Sequence, residues 1–125
     1  MTKRVLVVED DALLGLDIAD QLTDAGLEVV GPASSVASAM RLIAEKGCDV
    51  ALLDVNLGNE TAEPVARALR AKGTPFAILS GYSSQQHPQG FQDAPMLSKP
   101  VRPEALLALL LDCLAMSDVA RKPTN

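Results

Sequence analysis

Apolar positions along this chain come in two alternating forms: short, wholly apolar runs, and longer stretches with helical spacing. Residues 5–8 are the first run, and they end at three consecutive acids, Glu9, Asp10 and Asp11. Leu14, Ile18 and Leu22 then recur at helical spacing, which predicts a helix over 12–25 ended by Gly26. Residues 27–30 predict a second strand stopped by Gly31-Pro32, and Ser35 reads as the N-cap of a helix carrying Val36, Ala39, Met40 and Ile43. Residues 50–53 are a third apolar run, again closed by an acid, Asp54. Asn56-Leu57-Gly58-Asn59 reads as a loop, and 61–72 as a helix with Pro64 in its first turn. After Gly73-Thr74-Pro75, residues 76–79 predict a fourth strand ended by Ser80-Gly81. Residues 83–93 are poor in apolar positions and contain Pro88 and Gly90, so a fourth helix there is expected to be short or distorted. Residues 96–98 predict a brief fifth strand before Lys99-Pro100, and 103–116 a last helix opened by Pro103. The polar residues 117–125 are expected to form a flexible tail.

Strands that are apolar on both sides, alternating with helices, are the sequence form of repeated βα units: an α/β fold with a doubly wound parallel sheet. The strands of such a sheet point one way, and ligands bind at their carboxyl ends where the strand order reverses. That geometry gathers Glu9 and Asp10, Asp54, Ser80 and Lys99 at one edge, since each follows a strand. Carboxylates about 4 Å apart repel by about 1 kcal/mol per pair in water and about 4 kcal/mol at an effective dielectric near 20. Lys99 offsets part of this charge, and a hard divalent cation suits an all-oxygen cluster, so Mg²⁺ is expected, with Mn²⁺ as a substitute. Asp11, last of the acids and next to the helix, reads as its N-cap.

Composition narrows the picture. With 125 residues, 48% apolar and 2% aromatic, the chain has enough aliphatic side chains for one core without disulfides, and a single domain over 1–116 is expected. A net charge of −5 and the lack of a basic cluster argue against a nucleic-acid partner. Cys48 and Cys113 show no metal-ligand spacing and read as small core residues of a protein in a reducing, cytoplasmic setting. The apolar run after Lys3-Arg4 is too short for a signal-peptide core, and no stretch approaches a membrane span, so no membrane partner is expected. Without linker or repeat, the chain is expected to work as one module.

Val7-Val8-Glu9-Asp10, Leu52-Leu53-Asp54, Ser80 and Lys99-Pro100 together resemble the receiver domain of two-component response regulators, in its stand-alone, chemotaxis-type form. The resemblance covers the chain to about Met116 and implies a flavodoxin-like (βα)5 sandwich with a five-stranded parallel sheet of order 2-1-3-4-5. It implies that Asp54 is the phosphoacceptor, that Asp10 binds the metal directly and Glu9 through water, and that the backbone carbonyl of Asn56 completes the protein's ligands. Lys99 would pair with one phosphoryl oxygen and the Ser80 hydroxyl with another. The implied partners are a histidine kinase or histidine phosphotransfer protein as donor and a downstream protein target. Such a chain is a signalling phosphoacceptor in a phosphorelay, with self-directed dephosphorylation only, and not an enzyme acting on other substrates.

Some residues depart from the family's pattern. Met96 stands three before the lysine, where an aromatic residue is common, so the usual aromatic switch is replaced by a flexible thioether. The loop after Asp54 lacks the common Met-Pro. Ser80-Gly81-Tyr82 looks like the end of the fourth strand in a subfamily of bacterial single-domain receivers, with an approximate match. These departures support an alternative, a receiver-like interaction protein that works without phosphorylation. A small Asp-nucleophile phosphohydrolase is excluded, because Asn56 and not a second Asp lies two residues beyond the acceptor. The output signal is expected in the segment 80–96.

Two apolar surpluses remain. With Leu14, Ile18 and Leu22 on the sheet, Leu13 and Leu16 point outward near the acids, and the resemblance implies that the histidine donor docks there. In the last helix Leu106, Leu109, Leu110 and Cys113 make the core stripe, which leaves Leu107, Leu111 and Leu114 for self-association as a homodimer or for a partner helix.

Overall fold

A computed structural model describes residues 2–80, 91 and 94–121, with side chains as far as residue 115. The elements run β1 (Arg4–Val8), α1 (Ala12–Asp24), β2 (Glu28–Ala33), α2 (Val36–Glu45), β3 (Val50–Asp54), β4 (Asn56–Leu57), β5 (Glu60–Thr61), α3 (Glu63–Lys72), β6 (Phe76–Ser80), β7 (Met96–Ser98) and α4 (Pro103–Arg121). Five strands form one parallel sheet of order β2-β1-β3-β6-β7, which is the expected 2-1-3-4-5 once the short β4–β5 pair is set aside. Side chains alternate between its faces. Leu6, Val8, Ala51, Leu53 and Ile78 pack with Ile43 of α2 and Val65 and Leu69 of α3. Val5, Val7, Leu52, Ala77 and Leu79 pack with Ile18 and Leu22 of α1 and Leu106 and Leu110 of α4. Because both faces are covered, β1, β3 and β6 have no polar side to show, which explains their unbroken apolar runs.

Helix starts follow local chemistry. Asp11 Oδ1 accepts from the amides of Leu13 (3.0 Å) and Leu14 (3.2 Å), and Ser35 and Ser38 cap α2 reciprocally. Pro64 lies in the first turn of α3, where a missing amide costs nothing.

The structure corrects several expectations. The second strand does not stop at Gly31-Pro32 but continues to Ala33. Between the pairs Leu6–Val30 and Val8–Ala33 the second strand carries one extra residue, a bulge that absorbs the proline. Gly31 has φ +99°, and a Cβ there would lie 2.7 Å from Ala33 N and 3.0 Å from Val7 O, so the bulge requires glycine. The segment after Asp54, expected to be a loop, holds the antiparallel β4–β5 hairpin with Gly58-Asn59 as its two-residue turn. Helix α4 runs past 116 to Arg121, since neither Gly nor Pro interrupts 117–121. Leu114 is buried and Leu107 partly buried, leaving Leu111 as the exposed member of the proposed self-association face. The cause is angular: Leu114 lies only about 40° around the helix from Leu110, whereas Leu111 lies about 100° away. Met40 is exposed, with Leu42 packed on the core instead. Cys113 is buried and Cys48, half-buried, packs against the other core cluster, where burial pushes its thiol up to about 11; both sit with the core as expected. The expected fourth helix and Tyr82 lie outside the described residues, although Phe91 is buried among Ile78 and Leu69.

Candidate functional site

The carboxyl ends of neighbouring strands β1 and β3 put Glu9, Asp10 and Asp54 side by side. One carboxylate oxygen of each lies within 4.8 Å of the others. Glu9 and Asp54 are buried and Asp10 is exposed, so the cluster opens to solvent through Asp10. From the other side, β7 delivers Lys99: its backbone amide donates to the carbonyl of Ser80 (3.0 Å), fixing the lysine beside the end of β6. Its Nζ lies 2.9 Å from Asp54 Oδ2 and 3.2 Å from Glu9 Oε1. Ser80 is itself buried at the end of β6. The structure thus brings together Glu9, Asp10, Asp54, Ser80 and Lys99, the five residues that strand order alone sends to this edge.

Among the described residues charge here is unbalanced, with three carboxyl groups against one ammonium. Burial, and a hydrogen bond with Asp54, push the Glu9 carboxyl up to about 7. Glu9 Oε2 accepts from the Asp11 amide at 3.0 Å. Its Oε1 lies 3.2 Å from the Lys99 ammonium, an ion pair shared with Asp54. Burial alone would lower the Lys99 ammonium, but the hydrogen bond and charge of Asp54, helped by Glu9, outweigh it and hold the ammonium above its usual range. A buried acid that keeps its proton toward neutrality, in a cluster whose carboxyl groups share one described ammonium, marks a place short of positive charge. The all-oxygen donor set fits a hard divalent cation.

The hairpin after Asp54 carries the Asn56 carbonyl, the remaining expected ligand. Asn56 N donates to Asp54 Oδ1 (3.2 Å), and the amide of Ala62 donates to the carbonyl of Val55 (3.0 Å). Bonded and non-bonded pairs alternate along an antiparallel ladder, so Asn56–Thr61, next to the bonded Val55–Ala62 pair, is a non-bonded pair. The Asn56 carbonyl is therefore outside the ladder, on the same strand edge as the amide that reaches Asp54. Gly58, at φ +75° in the turn, sits so that a Cβ would be 3.8 Å from Asp10 Oδ2. Apolar periodicity does not show the hairpin, although Gly-Asn between short apolar-polar pairs is a known two-residue turn signal.

The remaining predicted positions fall as follows. Leu13 and Leu16 are 81% and 57% exposed on the outer side of α1, close in sequence to Asp10. Met96 is half-buried, pairs with Ile78 across the β6–β7 ladder and packs on the face that holds Phe91. Leu107 and Leu114 belong to the core on the opposite face. Among the described residues no helix is long and apolar enough to cross a membrane.

Residues 5–111 match the response regulator receiver domain. The transcriptional regulatory protein PdtaR of Mycobacterium tuberculosis is 28% identical over 109 residues, covering 86% of this chain and 53% of that protein. The regulatory protein VirG of Rhizobium rhizogenes is 35% identical over 80 residues, 63% of this chain and 33% of that one. The chain thus spans about half the length of the first relative and a third of the second. Among solved structures, SdrG from Sphingomonas melonis Fr1 is 35% identical with a TM-score of 0.78, covering 91% of this chain and 97% of that one. A response regulator receiver protein from Sinorhizobium medicae is 26% identical with a TM-score of 0.81, covering 93% and 97%. The family match spans both the sheet and the helices that hold the acids and the lysine together, and on that ground the chain belongs to the response regulator receiver domain family.

Proposed function

We propose that this receiver domain accepts a phosphoryl group on Asp54 from the phosphohistidine of a histidine kinase or histidine phosphotransfer protein, in a Mg²⁺-dependent reaction. The phosphorylated domain then signals by binding a protein target. One observation carries the reading: a single lysine bridges the buried Asp54 and Glu9 at 2.9 and 3.2 Å, beside a solvent-open third carboxylate.

Asp54 ends a strand paired on both sides, so its carboxylate is held still for in-line attack. As an Asp54 oxygen bonds to phosphorus, the P–N bond to the donor imidazole breaks and its electron pair returns to the nitrogen. Lys99 would follow a phosphoryl oxygen from its place on Asp54, and the Ser80 hydroxyl would donate to another. Asp10 would hold Mg²⁺ directly, Glu9 through water, with Asp54 and the Asn56 carbonyl completing the set. The cation, or Mn²⁺ in its place, supplies neutralisation of the phosphoryl charge when bound. Met96 would repack when Ser80 engages, where an aromatic ring would flip. Leu13 and Leu16 give the donor protein an apolar surface beside the acids.

The test is to incubate wild type and Asp54→Asn with acetyl phosphate and Mg²⁺ and measure intact mass. Wild type gains one phosphoryl group and the variant none. An unlabelled wild type would favour the phosphorylation-independent interaction protein instead.

A further inference from the structure

The amide of Val36, the first residue of α2, donates to Glu60 Oε2 at 3.1 Å across 24 residues of sequence. The first turn of α2 holds no acid of its own, so Glu60 supplies from the hairpin the negative charge that a helix start favours. From this bond we infer that Glu60 is a positioning residue for the metal site: it straps the β4–β5 hairpin to α2 and so holds the Asn56 carbonyl in place. The inference rests on the proposed role of Asn56 as a Mg²⁺ ligand.

The hairpin needs anchors. Each of its strands has two residues, and an isolated two-stranded hairpin of any length is marginal in water. Three contacts hold it. Leu57 is buried in the core beside Val55 and Ala62, Asn56 N is bonded to Asp54, and Glu60 reaches α2. Leu57 and Glu60 are directly opposite in the ladder, so the core anchor and the α2 strap grip the same rung, one residue from Asn56. The turn at Gly58 lies over Asp10. A rung fixed at both ends fixes the peptide next to it, and the direction of the Asn56 carbonyl depends on that peptide. By linkage, a ligand that prefers the fixed hairpin must in turn strengthen the Glu60–Val36 bond.

The bond can be removed from either end. Glu60→Ala removes the acceptor, whereas Glu60→Gln keeps an oxygen for the same amide. Val36→Pro removes the donor at the first helical position, where proline is tolerated, and Ser35 at φ −147°, ψ 165° already has the extended backbone that precedes proline. Mg²⁺ affinity is read by calorimetric titration, and the Val36 amide by hydrogen exchange in ¹⁵N spectra. Glu60→Ala and Val36→Pro are each expected to weaken Mg²⁺ binding about threefold, and the double variant no further than either alone. Glu60→Gln should stay within about twofold of wild type, and in wild type Mg²⁺ should slow exchange at Val36. Wild-type affinity in both Glu60→Ala and Val36→Pro, or a Val36 exchange rate insensitive to Mg²⁺ in a wild type that binds it, overturns the strap. No Mg²⁺ binding by the wild type overturns the metal-site reading itself, and the strap with it.

Discussion

At the amino-terminal edge of the sheet Arg4 Nε lies 3.3 Å from Glu28 Oε2, its Nη1 donates to the Lys46 carbonyl, and its backbone amide to Asp49 Oδ2. At the carboxyl-terminal edge Lys99 meets Asp54 and Glu9 at comparable distances. Both edges collect charge because strand ends are where a parallel sheet first reaches polar surroundings. The side chains of Arg4 and Glu28 are 47% and 51% exposed, whereas those of Glu9 and Asp54 are 0% and 7% exposed. At the first edge Arg4 and Glu28 meet each other and water. At the second, the acids outnumber the ammonium away from water, and Glu9 responds by keeping its proton to about 7. The cleft at the amino-terminal edge, about 480 Å³, is lined by charges of both signs, Arg4 and Lys46 against Glu28 and Asp49. Buried surplus of one sign is the better guide to chemistry.

The largest effect should come from removing Lys99, the one cation of the buried edge among the described residues. Lys99→Met leaves Asp54 and Glu9 without a counter-charge and should cost about 3 kcal/mol in urea unfolding with EDTA present, partly restored by Mg²⁺. A loss no greater than that of an exposed pair would break the comparison.

The next effect is a pH trend. The Glu9 carboxyl titrates near 4.5 when unfolded and near 7 when folded, so between these values the native state binds the extra proton. Its contribution to stability is therefore full below pH 4.5 and is lost as pH rises through 7. In EDTA, wild type should fall in stability across that window relative to Glu9→Gln, and Glu9→Gln should be the more stable of the two at pH 8. Parallel curves for the two proteins would remove the claim that Glu9 is strained by burial. The smallest effect belongs to the exposed edge: Arg4→Ala should cost under about 1 kcal/mol, less at high salt.

Much of the fold and the site is legible in the amino-acid sequence. The runs 5–8, 50–53 and 76–79 are apolar at every position because both sheet faces are covered, and the acids and lysine at the strand ends are the residues that meet in the candidate site. Asp11 and Ser35 mark their helices through side-chain oxygens that cap nearby amides. The features that sequence does not show are either too short for periodicity or fixed by distant contact. β4 and β5 have two residues each, below any repeat that a pattern can show. Glu60 reads as a loop acid until Val36 is seen beside it. Gly31-Pro32 looks like a stop because a bulge is a property of two strands, here Val7 opposite an extra residue. Leu114 looks surplus if the core stripe of α4 is drawn too narrow, by about 40° of helix rotation.

The central claim is that the buried acids of the carboxyl-terminal edge are completed by a divalent cation. Unfolding free energy at pH 8 in EDTA and in rising Mg²⁺ tests it most directly, with wild type, Asp10→Asn and Asp54→Asn side by side. Wild type should gain stability with concentration, about 2.7 kcal/mol at a hundred times the Kd, and both variants should gain far less. A wild type that gains nothing, or variants that gain as much as wild type, would contradict the claim.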